Sequence, residues 1–355
     1  MMPCRIQRHA IPVAQAFCLS LICALGSAAC YDAEEASTQT ASQRSADGTP
    51  VATPQGTTTT PPGTDVPMPA VAWPGTALVP QNANGLCVDG RVAAGANVTL
   101  APCNGSVLQR FKWEAGTVEL AGERCLAVAT AINAGVGTAV QLKACNGNDT
   151  TQLWTFQQGQ IFPEIIGRTT PASLCLSAMD GNAVDGANLA LASCTAAPTA
   201  TPWGLRSYSD KNVVQGMRIT SKVGPSICLD DYGAFNAAGT PLKQNTCNGN
   251  AAQGFNWSSN GLVANGVCVS VGTQPSAAGK YVVFNPCAAG DGNQSWMLER
   301  GQLRPVGGPA AGQCLDLEGK KGPIIAPVDV VPCVSGATPA TEPELFWLLG
   351  VEERH

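Results

Sequence analysis

Histidine is nearly missing. The chain of 355 residues holds two, His9 and His355, both at its ends. Nucleophile systems that pair Ser or Cys with His therefore have no base in the body of the chain. Charge is scarce as well: Asp, Glu, Lys and Arg make up 13%, and the net charge is -5. The basic residues form no cluster, whereas nucleic-acid binding needs a concentrated positive footprint. The carboxylates are scattered and single out no pair of the kind that flanks a glycosidic bond. These shortages predict a protein that is not an enzyme and has no nucleic-acid partner. After the first thirty residues no apolar run reaches the ~20 residues of a membrane span. Glycine and proline, at 39 and 26, are abundant. That balance fits short strands joined by turns better than long helices.

The N-terminus predicts export. Arg5 and Arg8 precede an uncharged, mainly apolar run from Ala10 to Gly26, then Ser27-Ala28-Ala29 and Cys30. This is the pattern of a signal peptide over residues 1–29. Small residues followed by Cys resemble the lipobox of bacterial lipoproteins, in which the Cys becomes the lipidated first residue. Ser27 stands where that family usually has Leu, and Ser27 with Ala29 also suits ordinary signal cleavage. A lipid anchor at Cys30 and a secreted form therefore both remain open. Tyr31, in place of Asp, implies outer-membrane sorting by the same resemblance, or otherwise a cell-surface location. Residues 30–73 are rich in Ser, Thr, Pro, Gly, Ala and Gln, including Thr57-Thr58-Thr59-Thr60-Pro61-Pro62. Such a stretch cannot bury enough apolar surface to offset its ordering entropy, and it reads as a disordered tether.

Twelve cysteines follow Cys30, and they fall into six sequential pairs. Cys87 goes with Cys103, Cys125 with Cys145 and Cys175 with Cys194. Cys228 goes with Cys247, Cys268 with Cys287 and Cys314 with Cys333. An even, regularly spaced set in an exported chain predicts disulfides. A structural zinc site would need close C-x-x-C pairs or histidines; the twelve cysteines form no C-x-x-C, and His9 falls in the expected signal and His355 at the last residue, so no metal or cofactor is expected. Cys30 is the odd cysteine, which lipidation accounts for.

Each pair sits in a similar sentence. A turn precedes the first Cys, a short apolar run leads into the second, and an aromatic closes the unit. The closings are Gln109-Arg110-Phe111, Gln152-Leu153-Trp154, Gln253-Gly254-Phe255 and Gln294-Ser295-Trp296. Units three and six lack the Gln and keep Trp203 and Trp347. Repeats of this size also suit a propeller. However, unit one matches unit four, unit two matches five and unit three matches six. The offsets Cys87 to Cys228, Cys125 to Cys268 and Cys175 to Cys314 are 141, 143 and 139 residues. The true period is three units, duplicated once.

Cys-Leu-Asp, Asn-Gly after the second Cys, and Gln-x-Trp together resemble the ricin B-chain-type lectin repeat. The resemblance runs from about Asn82 onward. It implies an all-β chain of two tandem β-trefoils, expected at 74–208 and 209–355, with each closing aromatic in a shared core. It also implies a lectin-like function with glycans or polysaccharide as partners. A shallow sugar site needs a carboxylate or amide and usually an aromatic face. In the family the Asp of Cys-x-Asp supplies the first, and an aromatic two residues before the second Cys the other. The Asp is present as Asp89, Asp230 and Asp316, and is replaced by Ala127, Ser177 and Ser270. The platform positions are Ala101, Lys143, Ala192, Asn245, Asn285 and Val331, none of them aromatic.

Unit four retains the most. Asp230, Asn245 and Gln253 are its candidate hydrogen-bonding residues, with Tyr232 or Phe235 as a substitute platform. Asp89 with Gln109, and Asp316, are lesser candidates. The bland alternatives are that Asp230 closes a turn and that each Gln bonds backbone within the fold. The missing platforms keep a second function open: a protein-binding or structural surface module with a cell-surface protein partner. The N-x-S/T matches at Asn97, Asn104 and Asn148 are treated as chance, and Gly290-Asp291-Gly292-Asn293 as an ordinary turn rather than a calcium loop.

Overall fold

Short strands with alternating burial build the molecule. Phe111–Glu114 buries every other residue, as does Thr117–Leu120 in the opposite phase. This is the period of a pleated strand with one face on a core. The computed structural model describes residues 75–350, apart from 94, 121–122, 166–173, 196–199, 210–211, 214–216, 225, 233–236, 260 and 318–324. The expected signal peptide at 1–29, Cys30, the expected tether at 30–73 and Phe235 lie outside the described residues. Among the described residues no helix is long and apolar enough to cross a membrane.

Two β-trefoils follow one another. In the first, Thr76–Pro80 pairs with Trp203–Ser209 and touches Phe111. Phe111–Glu114 pairs with Thr117–Leu120, and Trp154–Gln157 with Gln160–Pro163. A Thr117–Leu153 bridge and a Trp203 N–H bond to the Gly159 carbonyl close the barrel. Closure removes free sheet edges. The second trefoil repeats the plan with Ile219–Ser221, Asn256–Ser258, Gly261–Ala264, Trp296–Glu299, Gln302–Pro305 and Trp347–Leu349. Each unit also carries a hairpin, such as Leu86–Asp89 against Thr99–Pro102, and these hairpins cap the barrels. Two-residue turns with positive φ at both positions join neighbouring barrel strands, among them Ala115-Gly116, Gln158-Gly159 and Arg300-Gly301. Such turns match the strand twist.

All six predicted disulfides are present, each between consecutive cysteines. In the first trefoil Cys87 is bonded to Cys103, Cys125 to Cys145 and Cys175 to Cys194. In the second, Cys228 is bonded to Cys247, Cys268 to Cys287 and Cys314 to Cys333. Each bond ties the start of a unit's hairpin to its end, a constraint worth about 2–4 kcal/mol. The two ends differ in surroundings. The first cysteine of every pair is buried in its strand. Of the second cysteines, Cys194 and Cys247 are buried, Cys103 and Cys333 are half-buried, and Cys145 and Cys287 are exposed. The second cysteine thus sits at the rim, where the hairpin gives way to the loop before the closing aromatic. None of the twelve has a thiol left for a metal or for catalysis.

The two trefoils share one core. The residues two places after the closing aromatics are Trp113, Phe156, Leu205, Trp257, Leu298 and Leu349, all 2% exposed or less. They meet across the seam as backbone pairs: Leu349 with Trp113, Leu298 with Phe156 and Leu205 with Trp257. The Phe156 ring stands edge-on to Trp113 and Trp257, with centroids 6.1 and 4.9 Å away. Burying each Phe or Leu is worth about 1.5–3 kcal/mol, so the seam is a core and not a casual contact. Polar side chains rim it. Lys222 bonds Glu114, Arg300 Nε donates to Glu164 Oε2 at 2.8 Å, and Ser259 Oγ donates to Gln81 Oε1 at 2.9 Å. Gly159 (φ 77) lets the turns interlock, since an added Cβ would stand 2.6 Å from Gln81 Nε2.

Lys112 sits between Glu114 and Glu119, 2.9 Å from each. Burial alone would raise the Glu114 carboxyl, but hydrogen bonds from Lys222 and Lys112 outweigh it and hold Glu114 below the usual carboxylate range. A carboxyl depressed by folding adds stability above its unfolded pKa, and that stability is lost as pH falls through the folded value. Acid should therefore loosen the seam. Thermal unfolding from neutral pH down to pH ~3 should show Glu114→Gln with a smaller acid loss of Tm than the parent. Identical acid slopes in the two proteins would remove Glu114 from the seam's pH response.

Candidate carbohydrate site

The four closing glutamines do the same local work. Gln109 Oε1 accepts from Asn104 N–H at 2.9 Å, and Gln152 Oε1 from Asn146 N–H at 2.8 Å. Gln253 Oε1 accepts from Asn248 N–H at 2.9 Å, and Gln294 Oε1 from Ala288 N–H at 2.8 Å. Their Nε2 groups donate to the carbonyls of Pro102, Ala144, Thr246 and Pro286. Those carbonyls belong to the residues just before Cys103, Cys145, Cys247 and Cys287. Each Gln thereby clamps both sides of its unit's second cysteine. All four are buried.

In units one and four the same Nε2 reaches the Asp. Gln109 donates to Asp89 Oδ2 at 2.8 Å and Gln253 to Asp230 Oδ2 at 2.9 Å. The two carboxylates then differ. Asp89 Oδ1 accepts from Arg91 N–H at 2.8 Å, and the Arg91 guanidinium lies 3.5 Å from Oδ2. Both Asp89 oxygens are therefore engaged. At Asp230 the amide of Asn245 adds a second bond to Oδ2 at 2.9 Å, while Oδ1 is buried with no partner. Asp230, Asn245 and Gln253 thus converge on one carboxylate, with one acceptor left over. An unpaired buried acceptor costs about 1–3 kcal/mol, which calls for an explanation.

Tyr232 stands beside this carboxylate in sequence and is 41% exposed. The Lys243 ammonium lies 4.8 Å from its ring centroid, so a cation covers one ring face. The next residue after Asp230, Asp231, is fully buried. Its Oδ2 accepts from Asn265 Nδ2 at 3.0 Å and its Oδ1 has no partner. In unit six Asp316 faces Asp329 across the hairpin, and buried Leu345 takes the place of the Gln. Lys143, at a platform position, donates to the carbonyls of Val128 and Ala129.

Reading from sequence missed the substitute in unit three. Thr201 occupies the Gln position before Trp203, and Ser177 the Asp position. Their hydroxyls lie 3.0 Å apart, with Thr201 N–H donating to Ser177 Oγ and Ala178 N–H to Thr201 Oγ1. The signal was the joint change of both positions to hydroxyl residues. The Lys243–Tyr232 contact and the Asp231–Asn265 bond left no pattern in the chain. Asp291, in the segment that resembles a calcium loop only in composition, caps the short turn Gly292–Gln294.

The model of the ricin-type β-trefoil lectin domain matches residues 75–203 and 215–339, and the chain belongs to that family. Similar solved structures include a non-toxic homologue of type II RIPs from Momordica charantia (bitter gourd), in complex with α-methyl-D-galactoside. It is 19% identical over 78% of this chain and 96% of that one, with a TM-score of 0.30. The agglutinin of Abrus precatorius is 17% identical over 78% and 97%, with a TM-score of 0.31. The C-half of the earthworm R-type lectin, in complex with GalNAc, is 12% identical over 39% and 100%, with a TM-score of 0.32. No curated protein matches the chain.

The clamp gives a prediction. Gln152 has no Asp partner, so Gln152→Ala should cost about 1–3 kcal/mol by orphaning the Asn146 N–H, with no effect on glycan retention. Chemical denaturation and a retention assay on the same protein check both halves.

Proposed function

We propose that this protein is a non-catalytic, carbohydrate-binding exported protein whose principal site is in unit four. The observation that carries the reading is the buried Asp230 Oδ1 without a donor, beside Oδ2 held by Asn245 and Gln253. A sugar hydroxyl would supply the missing donor once neighbouring side chains shift to admit it, since Oδ1 is covered in the unbound protein. The two amides hold the carboxylate in place, and exposed Tyr232 offers an apolar face at the rim. Phe235 is kept as a second candidate for that face. Unit one is a weaker site because both Asp89 oxygens are already engaged. Unit six is weaker because Leu345 stands where a Gln would hold Asp316.

The partners are glycans or polysaccharide at or outside the cell surface. The two trefoils divide between residues 208 and 209, with the 30–73 tether in front. Cys30 carries the lipid, for all twelve later cysteines are consumed in disulfides. The anchor holds the trefoils off an outer membrane or cell surface, with plain secretion as the other outcome of signal cleavage. The non-aromatic platforms favour one rival, a trefoil surface that binds a protein.

Asp230→Asn keeps the side-chain volume and removes the acceptor charge. The variant should lose at least tenfold in retention on insoluble polysaccharide while keeping the β-rich circular dichroism of the parent. The parent should be released by free sugar. Equal retention of parent and variant overturns the unit-four site, and retention that no sugar competes away turns the reading to a protein surface. For the anchor, cells fed labelled palmitate should label the parent and not Cys30→Ser. An unlabelled parent makes the protein a secreted one.

A further inference from the structure

The seam between the trefoils carries a cleft of about 520 Å³, within the ~300–1,000 Å³ of ordinary ligand sites. Gln158 of the first trefoil forms one wall. Ser259 and the unit-five loop from Cys287 to Asp291 form the others, with Ser295 at the lip and Trp257 and Trp296 beneath. None of these residues belongs to a Cys-x-Asp depression.

Comparison among the units explains why the cleft is open here. In unit one, Arg110 Nε and Nη2 donate to the Gly105 carbonyl at 3.1 and 2.9 Å, so a guanidinium lies over the turn after the second cysteine. In unit four, Arg218 Nη2 lies 3.0 Å from where a Cβ on Gly249 would stand. Unit five has Ser295 at the Arg110 position. It also has Ala288-Ala289 where units one, two and four carry Asn-Gly. The asparagines Asn104 and Asn248 fold their side-chain oxygens back onto Ser106 and Asn250 N–H. Ala288 cannot, and the two alanines are exposed. Smaller side chains and a missing arginine leave the space unfilled.

The lining selects the chemistry. It holds one carboxylate, hydroxyls and amides, and no lysine or arginine. An anion would meet Asp291 with no counter-charge. The Gln158 Nε2 bond to Ser295 Oγ, at 3.3 Å, is long and easily exchanged for a ligand bond. We infer that this cleft is a second ligand site, taking a neutral sugar unit between the two trefoils, with Gln158, Ser259, Ser295 and Asp291 bonding its hydroxyls over the Trp257 and Trp296 floor. The site shares no residue with the Asp230 site and stands or falls apart from it.

Indole N–H resonances of the 15N-tryptophan-labelled protein test this, with Trp257→Phe assigning the signal. Methyl α-galactoside and methyl α-glucoside are the neutral probes, and glucuronate the anionic one. At least one neutral glycoside should move the Trp257 signal saturably, both in the parent and in Asp230→Asn. Ser295→Arg should weaken that response at least tenfold by refilling the cleft. Ala289→Arg, at an exposed position that cannot disturb the core, should do the same. An unmoved Trp257 signal, arginine variants that respond like the parent, or a stronger response to glucuronate overturns the site.

Discussion

Four closing tryptophans turn their indole N–H onto the carbonyl of the residue after the first cysteine of their own unit. Trp154 donates to Leu126, Trp203 to Leu176, Trp296 to Val269 and Trp347 to Leu315, at 2.8–3.2 Å. The indole belongs to the barrel and the carbonyl to the capping hairpin. One hydrogen bond therefore sets the position of the hairpin on the barrel, and the disulfide one residue away secures its other end. Units one and four close with Phe111 and Phe255, which have no N–H to give. Those are the two units where an Asp–Gln bond spans the same gap. The hairpin is tied by an indole or by a carboxylate, so the Asp–Gln pair is a structural tie before it is anything else.

This exchange bears on how much the chain disclosed. The cysteine pairs, the three-unit period and the closing aromatics were legible because each recurs at a fixed distance and each has a single physical use. The trefoil fold and the disulfides follow from them. The Gln-to-backbone clamp was legible as an alternative only, since a Gln spacing says nothing of what the amide meets. The Ser177–Thr201 pair was not read, because two hydroxyls replacing an amide and a carboxylate break the motif while keeping the bond. Asn265-Gly266 is an evident turn, but Ala115-Gly116 and Arg300-Gly301 adopt the same backbone with residues that announce it poorly.

The seam was beyond the reach of pattern. Alternation along Phe111–Glu114 marks Trp113 as inward, and the same holds for Phe156 and Leu205 in their strands. It cannot say that inward means against another barrel. What decides this is that each barrel places three large apolar groups two residues past its closing layer, and they pair one to one with the other barrel's three. Docking the second barrel there buries both sets and pairs the strand backbones. Trp113 and Trp257 bear the consequence, since each holds an indole N–H with no acceptor in that apolar layer.

Unpaired groups are better evidence for a site than the motif itself. Asp89 and Asp230 occupy the same place in the repeat, yet only Asp230 retains an unused oxygen. Its neighbour adds a second, because Asp231 stands where unit one has Gly90. That glycine leaves no room for a side chain, since an added Cβ would collide with Leu120. Unit four has thus accommodated a second buried carboxylate, held by Asn265 alone. Each orphan oxygen costs about 1–3 kcal/mol unless something donates to it. No salt bridge within 4 Å relieves either acid among the described residues. Folding by itself gains nothing from this arrangement, as unit one reaches the same backbone with every oxygen engaged. A hydroxylated ligand that reached Asp230 would recover that cost, and this sets unit four apart from the other two aspartates under the proposed reading.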